Sequence, residues 1–230
     1  MTLEKIIALV PMRHHSQRVS GKNYRQLAGK PLFHHILNTL LLVPEVNQIV
    51  VDTDSPEVLS SIARDFPKVQ ALERPDHLRA DNVPMNEILM YDTAQFPADL
   101  YLQTHSTNPL LRPKTLSTAI LTLRSQYPAY DSLFSATRLQ TRLWDGLTRP
   151  INHNPAILLQ TQDLPPVYEE NSCIYLFTRE TLAARRNRMG DRPLLFAMEA
   201  DEAWDIDEEV DFKVVEVLMR ERLQKIGGVK

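Results

Sequence analysis

The sequence has little of several residue types, and each shortage excludes a class of protein. Its 230 residues include one cysteine, Cys173, which excludes an internal disulfide and a zinc site made of cysteines alone. Six glycines, 7% aromatic residues and no internal repeat exclude a fibrous or repetitive chain. Because Cys173 lies in an apolar run, we expect it to be a buried strand residue.

An excess of one charge and a long apolar run are also missing. The chain has 26 Lys and Arg against 29 Asp and Glu, so nothing attracts it overall to nucleic acid or to an anionic membrane. Its longest uncharged stretch, residues 31–44, includes two histidines and is shorter than the ~20 apolar residues that cross a bilayer. The short apolar segment after Glu4 is not followed by a small-residue cleavage site, so we expect no signal peptide. We therefore expect a cytoplasmic protein that binds neither nucleic acid nor membrane.

Patterns typical of strands and helices alternate through the first 136 residues. Residues 5–10 form a run that is continuously apolar after Lys5, which is typical of a strand buried on both faces of a parallel sheet. The same criteria predict further strands at 48–51, 69–72, 100–103 and 132–136, and helices at 32–42, 56–65, 85–94 and 113–125. Asp54 is the expected N-cap of the second helix. The alternation predicts one α/β domain over residues 1–230, with a Rossmann-like, mostly parallel sheet and helices on both faces.

The alternation stops at residues 137–172, which are rich in Pro, Asn and Gln and have little periodicity. So long a connection inside a compact domain is usually functional or part of an interface. We predict that 137–172 forms an arm for dimerisation or substrate binding, and hence a homodimer. After the arm, strands are predicted at 173–177 and 194–198, and helices at 179–188 and 208–223.

Positive charge is concentrated directly after the first predicted strand. Between residues 11 and 30 there is no acid, and the cations are Arg13, Arg18, Lys22, Arg25 and Lys30. In an open α/β sheet this loop lies at the carboxyl edge, where such folds bind ligands. Gly21 and Gly29 would let backbone N–H groups approach a phosphate there. The loop matches neither GxxxxGK[ST] nor GxGxxG, so it predicts an anion site of another kind, with a solvated basic loop as the alternative.

Negative charge is concentrated at residues 199–211, which contain eight acids and no base. The last three of these acids open the final predicted helix, where they would complement its dipole. Asp205 and Asp207 are different, because residues i and i+2 of an extended segment share a side while Ile206 turns to the core. Two converging carboxylates near a phosphate site suit Mg²⁺.

Other catalytic arrangements are poorly represented. The adjacent pairs His14–His15 and His34–His35 should point apart in a strand or a helix, so we expect no shared metal site there. No serine with a plausible base and orienting acid stands out. Phosphoryl-type chemistry, which depends on positioning and charge, is the economical prediction.

Motifs in these regions run in order along nearly the whole chain. They are IALVPMR at 7–13 with Ser16, Lys22 and Asn23, LAGKPL at 27–32, VDTD at 51–54, ERP at 73–75 with Leu78 and Asp81, LQxxSxNPLLR at 102–112, QDLPPVY at 162–168 with Asn171 and Tyr175, and DIDxxxDF at 205–212. As a set they resemble the acylneuraminate cytidylyltransferases, the CMP-sialic acid synthetases.

The resemblance implies a Mg²⁺-dependent enzyme in which a sugar-acid hydroxyl attacks the α-phosphate of CTP and pyrophosphate leaves. By position it implies that CTP is held by Arg13, Ser16, Lys22, Asn23, Arg74 and Asp81. It also implies that Gln103 and Tyr168 contact the sugar acid and that Asp205 and Asp207 hold the metal. The expected catalytic residues are Arg13, Lys22, Asp205 and Asp207.

The basic loop departs from that family. Gln17 stands where the family has a lysine, and the pattern RxxSxRxxGK at 13–22 is more similar to the related Kdo cytidylyltransferases. Arg18 is therefore expected to contact the phosphates in place of that lysine.

The expected sugar pocket departs as well. Thr161 and Glu169 stand where basic residues are expected, and Ser172 follows Asn171 where glycine is usual. A carboxylate that leaves water needs a cation, and the nearest candidates in sequence are Arg138 and Arg142. We expect Arg142 to bind the sugar acid and N-acetylneuraminic acid to be a poorer substrate than another ulosonic acid.

Two other functions stay open from the residues alone. A metal-dependent glycosyltransferase would use Asp205 and Asp207 as its DxD motif and would consume a nucleotide sugar. A nucleotide-binding or regulatory relative would have lost catalysis through the changes at Gln17, Thr161 and Glu169.

Overall fold

The computed structural model describes residues 3–16 and 18–227. Its strands are β1 (Ile6–Leu9), β2 (Gln26–Leu27), β3 (Lys30–Pro31), β4 (Gln48–Thr53), β5 (Val69–Glu73), β6 (Leu100–Gln103), β7 (Ser132–Leu139), β8 (Val167–Phe177) and β9 (Pro193–Met198). Its helices are α1 (Leu32–Leu40), α2 (Pro56–Asp65), α3 (Met85–Gln95), α4 (Pro113–Gln126), α5 (Arg179–Arg185) and α6 (Glu209–Gly227). None of the helices in these ranges is long and apolar enough to cross a membrane.

The main sheet has the strand order β5-β4-β1-β6-β8-β7-β9, and β2 pairs with β3 in a separate hairpin. β8 pairs antiparallel with β6 and β7, whereas the other neighbouring strands of the main sheet pair parallel. The predicted mostly parallel sheet is confirmed. From β1 the chain builds outward to β4 and β5 on one side and returns to β6 on the other. A crevice therefore opens at the carboxyl ends of β1 and β6.

Alternate side chains of β1 enter two different cores. Ile6 and Ala8 pack on the face covered by α1, α2 and α4, and Ile7 and Leu9 pack on the face covered by α3 and α5. All four side chains are fully buried. A strand covered on both faces needs apolar residues at every position, which explains the continuous apolar run and confirms helices on both faces.

The cap of α2 differs from the prediction. Ser55 caps this helix, since its Oγ accepts the backbone N–H of Val58. Asp54 instead accepts the backbone N–H of His14, with 2.7 Å between Oδ1 and N. The predicted Asp54 cap is therefore wrong, because the segment after β1 lies beside the end of β4 and uses this carboxylate.

The arm is shorter than predicted, because strand pairing extends into it. β7 and β8 stay paired as far as Leu139 and Val167, so the prediction of irregular structure was wrong for residues 137–139 and 167–172. Within the described chain, every hydrogen bond found for residues 140–166 joins two residues of that segment. The segment exposes Trp144, Leu147, Ile151, Ile157, Leu158 and Leu159.

The single cysteine lies where it was predicted. Cys173 is fully buried in β8, and burial raises the pKa of its thiol. A buried thiol with a raised pKa is not a nucleophile at neutral pH.

Candidate active site

A cavity of about 510 Å³ opens at the carboxyl ends of β1 and β6. Its walls include Met12 and Arg13, which follow β1, and His105 and Ser106, which follow β6. The volume lies within the ~300–1,000 Å³ range of small-molecule sites. The location is the crevice where α/β sheets bind ligands.

The cavity brings together predicted residues from three regions of the sequence, 13–23, 74–81 and 205–207. Those that line it are Arg13, Ser16, Arg18, Lys22, Asn23, Arg74, Asp81, Asp205 and Asp207. The basic loop and the acidic segment, nearly 200 residues apart, therefore face each other.

Asn23 connects the basic loop to the far wall. Its Nδ2 donates to the carbonyl oxygen of Arg13 at 2.7 Å, and its Oδ1 accepts from the Ser106 hydroxyl at 2.6 Å. Asn23 is buried, so these bonds hold the ends of β1 and β6 together under the cavity.

The two glycines of the loop serve turns. Gly21 has a φ of 61° and begins the turn into Lys22, and a Cβ on it would lie 2.7 Å from the Tyr24 ring. Gly29, with a φ of 86°, lies in the turn between β2 and β3. Neither lines the cavity, so the prediction that both approach a phosphate is wrong.

Cations and carboxylates alternate along one side of the cavity. Arg13 contacts Asp81, with 3.0 Å between Nη1 and Oδ1. Asp207 Oδ1 lies 2.7 Å from Arg18 Nη2 and 3.4 Å from Lys22 Nζ. A site that offers guanidinium, ammonium and carboxylate groups within this distance can receive both a polyphosphate and a divalent cation.

The Asp205–Asp207 segment has the predicted alternation. Ile206 is fully buried and packs with Leu27 and Phe212, and its backbone N–H donates to the Thr107 carbonyl at 3.0 Å. The two carboxylates meanwhile line the cavity. The prediction that Ile206 turns to the core is confirmed.

Asp205 carries the clearest sign of a missing partner. Its Oδ1 is buried and has no hydrogen-bond partner in the described chain, and burial raises the pKa of the carboxyl group even though a hydrogen bond from Thr107 partly offsets the rise. The described residues contain no group of three or more His, Cys, Asp or Glu that could hold a metal. The two carboxylates that line the cavity, Asp205 and Asp207, fit a hard cation that takes one or two carboxylates and completes its shell with water and substrate oxygens.

The neighbouring acids have structural roles. Asp211 Oδ2 accepts the backbone N–H groups of Asp207 and Glu208, at 3.0 and 2.7 Å, at the start of α6. Glu209 pairs with Arg25, whose guanidinium lies 4.1 Å above the ring of Phe212. These contacts match the prediction that the last acids stabilise the final helix.

Arg74 reaches the cavity from a buried network. Its Nε donates to the carboxylate of Asp52, and both side chains are buried. Asp92 on α3 is also buried, and burial together with the charge of Asp52 raises its pKa to about 9. Asp92 is therefore protonated at neutral pH. Arg74 Nη1 is buried and has no hydrogen-bond partner in the described chain.

Two residues of the cavity were missed from sequence. His105 has its pKa lowered to about 4, chiefly by burial and then by the nearby charge of Arg188, so its ring is neutral at pH 7. Arg188, which also lines the cavity, is not among the residues that the sequence analysis singled out. Nothing in the sequence marked these two residues as part of a site, since a lone histidine and an arginine near the end of a helix are common in any chain.

Gln103 lies beneath the cavity and does not line it. It is fully buried in β6, and its Oε1 accepts from Arg188 Nη1 at 2.6 Å. Its Nε2 lies 3.0 Å from His105 Nε2. Gln103 therefore orients two cavity residues, and its direct contact with substrate stays a prediction.

The other expected sugar-binding residues lie in the arm (Arg142) and at the start of β8 (Tyr168). Arg142 donates to the Leu159 carbonyl, and Tyr168 pairs with Arg138 where β7 and β8 extend beyond the sheet. Neither Arg142 nor Tyr168 lines the cavity within one chain. Their roles stay predictions.

The departures from the family fall at different places. Thr161 lies in the arm, and Glu169 lines an adjoining cavity of about 480 Å³ that shares Ser172 with the first. Ser172 has a φ of 58°, a left-handed conformation that glycine adopts without strain, so the backbone here keeps the shape that favours glycine. Gln17 lies outside the described residues.

The first histidine pair does not point apart. The ring centroids of His14 and His15 are 4.4 Å apart with an interplanar angle of 72°. The reasoning from regular geometry was wrong here, because both residues lie in the irregular loop after β1. His14 Nδ1 lies 3.0 Å from Ser55 Oγ, which directs it to the start of α2.

Comparisons with known proteins agree with this geometry. The chain is 27% identical over 218 residues to N-acylneuraminate cytidylyltransferase A of Danio rerio, covering 92% of this chain and 50% of that one. It is 26% identical over 226 residues to CMP-N,N'-diacetyllegionaminic acid synthase of Legionella pneumophila, covering 94% and 96%. The chain thus spans about half the length of the fish relative and nearly all of the bacterial one.

A solved structure supports the fold. The structure of CMP:2-keto-3-deoxy-manno-octonic acid synthetase complexed with CTP superposes with a TM-score of 0.71 at 18% identity, covering 95% of this chain and 99% of that one. The sequence profile of the family described as Cytidylyltransferase matches residues 7–223. With the cavity, its charges and the motifs in agreement over that span, the chain belongs to the cytidylyltransferase family.

Proposed function

We propose that this protein transfers CMP from CTP to a sugar acid, a sialic acid or another ulosonic acid, and releases pyrophosphate. One observation carries the proposal: a single cavity at the carboxyl edge of the sheet holds the basic-loop residues Arg13 and Lys22 opposite Asp205 and Asp207. The names of the relatives, which include an N-acylneuraminate cytidylyltransferase and a CMP-N,N'-diacetyllegionaminic acid synthase, support the substrate class.

In the proposed reaction a sugar-acid hydroxyl oxygen bonds to the α-phosphorus of CTP. The bond from that phosphorus to the bridging oxygen breaks, and pyrophosphate and the hydroxyl proton leave. Arg13, Arg18 and Lys22 would bind the phosphate oxygens and stabilise their charge, which is the main catalytic task in phosphoryl transfer. Arg74, on the side of the cavity next to β4 and β5, would add a buried positive charge near the nucleotide.

We also propose that Asp205 and Asp207 hold Mg²⁺. When bound, the ion would neutralise phosphate charge and draw electron density from the α-phosphate. The buried Oδ1 of Asp205, which has no partner in the described chain, supports this assignment. Asp207 would exchange its contacts with Arg18 and Lys22 for the ion, leaving both cations to the phosphates.

A homodimer formed through the arm is part of the proposal. Residues 140–166 expose several large apolar side chains, among them Leu158, which is 90% exposed. Their hydrogen bonds are internal to the segment in the described chain, so the arm has little of the protein's own body to pack on. A second copy would bury this apolar surface, which is the usual way in which such patches are covered.

The test is release of pyrophosphate by the purified protein with CTP, Mg²⁺ and a panel of 3-deoxy-2-ulosonic acids. We expect release that requires both the sugar acid and Mg²⁺, and a CMP-sugar of matching mass. Hydrolysis or transfer of a supplied nucleotide sugar instead would favour the glycosyltransferase. Binding of CTP with no product from any acid would favour a non-catalytic relative. A cytoplasmic location belongs to the same proposal, because CTP is an intracellular substrate.

A further inference from the structure

Arg188 is held rigidly on the wall of the cavity. Its Nη1 donates to Gln103 Oε1 at 2.6 Å, and its guanidinium carbon lies 3.5 Å from the centroid of the Tyr175 ring. Its backbone N–H donates to Asn86 Oδ1 at 3.3 Å. The side chain is thus oriented from β6, β8 and α3 together, although it follows a short helix near the end of the domain.

No acid pairs directly with this charge in the described chain, although the carboxylate of Glu170 partly offsets it from a distance. Within the described residues, no carboxylate lies within 4.0 Å of the Arg188 guanidinium, whereas Arg13 has one and Arg18 has two. The nearest acid on β8, Glu170, accepts a hydrogen bond from the Tyr175 hydroxyl. Burial lowers the pKa of Arg188 and disfavours its charge. A partly buried cation that lacks an anion is costly unless a ligand supplies one.

The position of Arg188 in the cavity indicates which anionic group of a ligand it meets. Arg74 and Asp81 follow β5 and lie on the β4–β5 side of the cavity, whereas Arg188 is held by β6 and β8 on the other side. The phosphate-facing cations Arg18 and Lys22 lie beside Asp207. In a transfer to CTP, the side away from the nucleotide receives the second substrate, and the anionic group of a sugar acid is its carboxylate.

We infer that Arg188 binds the carboxylate of the sugar acid and makes the site selective for acids over neutral sugars. A guanidinium offers two parallel N–H donors to a carboxylate, and here Gln103 already fixes its orientation. The inference rests on the proposed function. It assigns to Arg188 the role of binding the sugar-acid carboxylate, which the sequence analysis had suggested for Arg142.

The kinetic test compares Arg188→Gln and Arg188→Lys with Arg185→Gln. Arg185 is the last residue of α5, three residues before Arg188, and pairs with Asp191 outside the cavity, so it is a matched control. We expect Arg188→Gln to raise the sugar-acid KM about 10- to 100-fold and Arg188→Lys to raise it less, with the CTP KM within about threefold. Arg185→Gln should change neither. A larger change in the CTP KM than in the sugar-acid KM would assign the cation to a phosphate and overturn the inference.

A binding test works even if no product forms. Calorimetric titrations without Mg²⁺ would compare N-acetylneuraminate and 3-deoxy-manno-octulosonate with their methyl esters, on the unmodified protein and on Arg188→Lys and Arg188→Gln. We expect the ester to lose affinity on the unmodified protein, and the acid and ester to bind Arg188→Gln alike. Equal discrimination against the ester in all proteins, or no binding of either acid, would overturn the inference.

The two tests separate the claims. Carboxylate-dependent binding through Arg188 without turnover would leave the inference standing and refute the proposed reaction. Turnover with an unchanged sugar-acid KM in Arg188→Gln would refute the inference and leave the proposed reaction standing. A thermal melt on each variant identifies one that has failed to fold, and Arg188→Lys, which keeps the charge and most of the volume, then carries the comparison.

Discussion

Asp205→Asn and Asp207→Asn are expected to have the same effect on turnover and opposite effects on stability. Each change removes one negative charge from the cavity and hardly alters its shape. Two unit charges 4 Å apart interact by ~4 kcal/mol at an effective dielectric constant near 20. The amide oxygen keeps part of the ligation, so we expect each variant to lose about 2.7 kcal/mol of transition-state stabilisation, or ~100-fold in turnover.

The stability difference follows from their surroundings. Asp205 has a buried Oδ1 without a partner and a raised pKa, so the folded state holds its proton more tightly than the unfolded chain does. Its ionisation therefore costs stability as the pH rises through the folded pKa, and removing the charge should raise the free energy of unfolding at pH 7 by about 1 kcal/mol. Asp207 is partly exposed and pairs with Arg18 and Lys22, so its loss should lower stability by under ~1 kcal/mol.

The assay measures pyrophosphate release across a Mg²⁺ titration, and urea unfolding gives the free energies. Both variants should need more Mg²⁺, and Asp205→Asn should unfold at higher urea than the unmodified protein. Near-normal turnover in both variants would refute the metal assignment. Loss of stability in Asp205→Asn as large as its loss of activity would show that Asp205 holds the fold together instead.

Three further predictions concern other parts of the molecule. Arg13→Ala should lose at least ~10-fold more activity than Arg25→Ala, because Arg13 lines the cavity and Arg25 pairs with Glu209 outside it; equal losses in a pyrophosphate assay would refute this. Asp92→Asn should flatten the dependence of unfolding free energy on pH between about 4 and 9, where the folded protein keeps a proton that the unfolded chain loses and stability falls as pH rises; an unchanged slope would contradict the raised pKa. Leu158→Asp should convert a dimer to a monomer in sedimentation at micromolar concentration, and a monomeric unmodified protein would remove the arm's proposed role.

Local features of the chain were predictable because nearby residues determine them. A strand covered on both faces must be apolar at each position, so residues 5–10 indicated β1 and its place in the middle of the sheet. The alternation of Asp205, Ile206 and Asp207 follows from the two-residue repeat of an extended chain, and it was confirmed. Charge counting also located the basic loop and the acidic segment before their proximity was known.

The ends of elements were less predictable, because contacts between distant segments decide them. Asp54 and Ser55 are both good N-cap residues, and the choice of Ser55 depended on His14, which lies 40 residues away and takes up the Asp54 carboxylate. β7 and β8 extend into the predicted irregular arm because each supplies the other's hydrogen-bond partners. Neither the contact between Asp54 and His14 nor the pairing of β7 with β8 produces a periodic pattern within a single segment of the sequence.

Short-range periodicity and ordered motifs encode the α/β architecture, the family and half of the residues that line the cavity, so these could be predicted from the sequence. Only the tertiary structure showed that Arg188 approaches Gln103 and Tyr175, and that Asp92 lies beside Asp52 and Arg74. These groups are separated by 13 to 85 residues of chain, and their charges and protonation depend on burial and on neighbours across the sheet. A residue's spacing in sequence carries no information about such an environment, because the fold creates it.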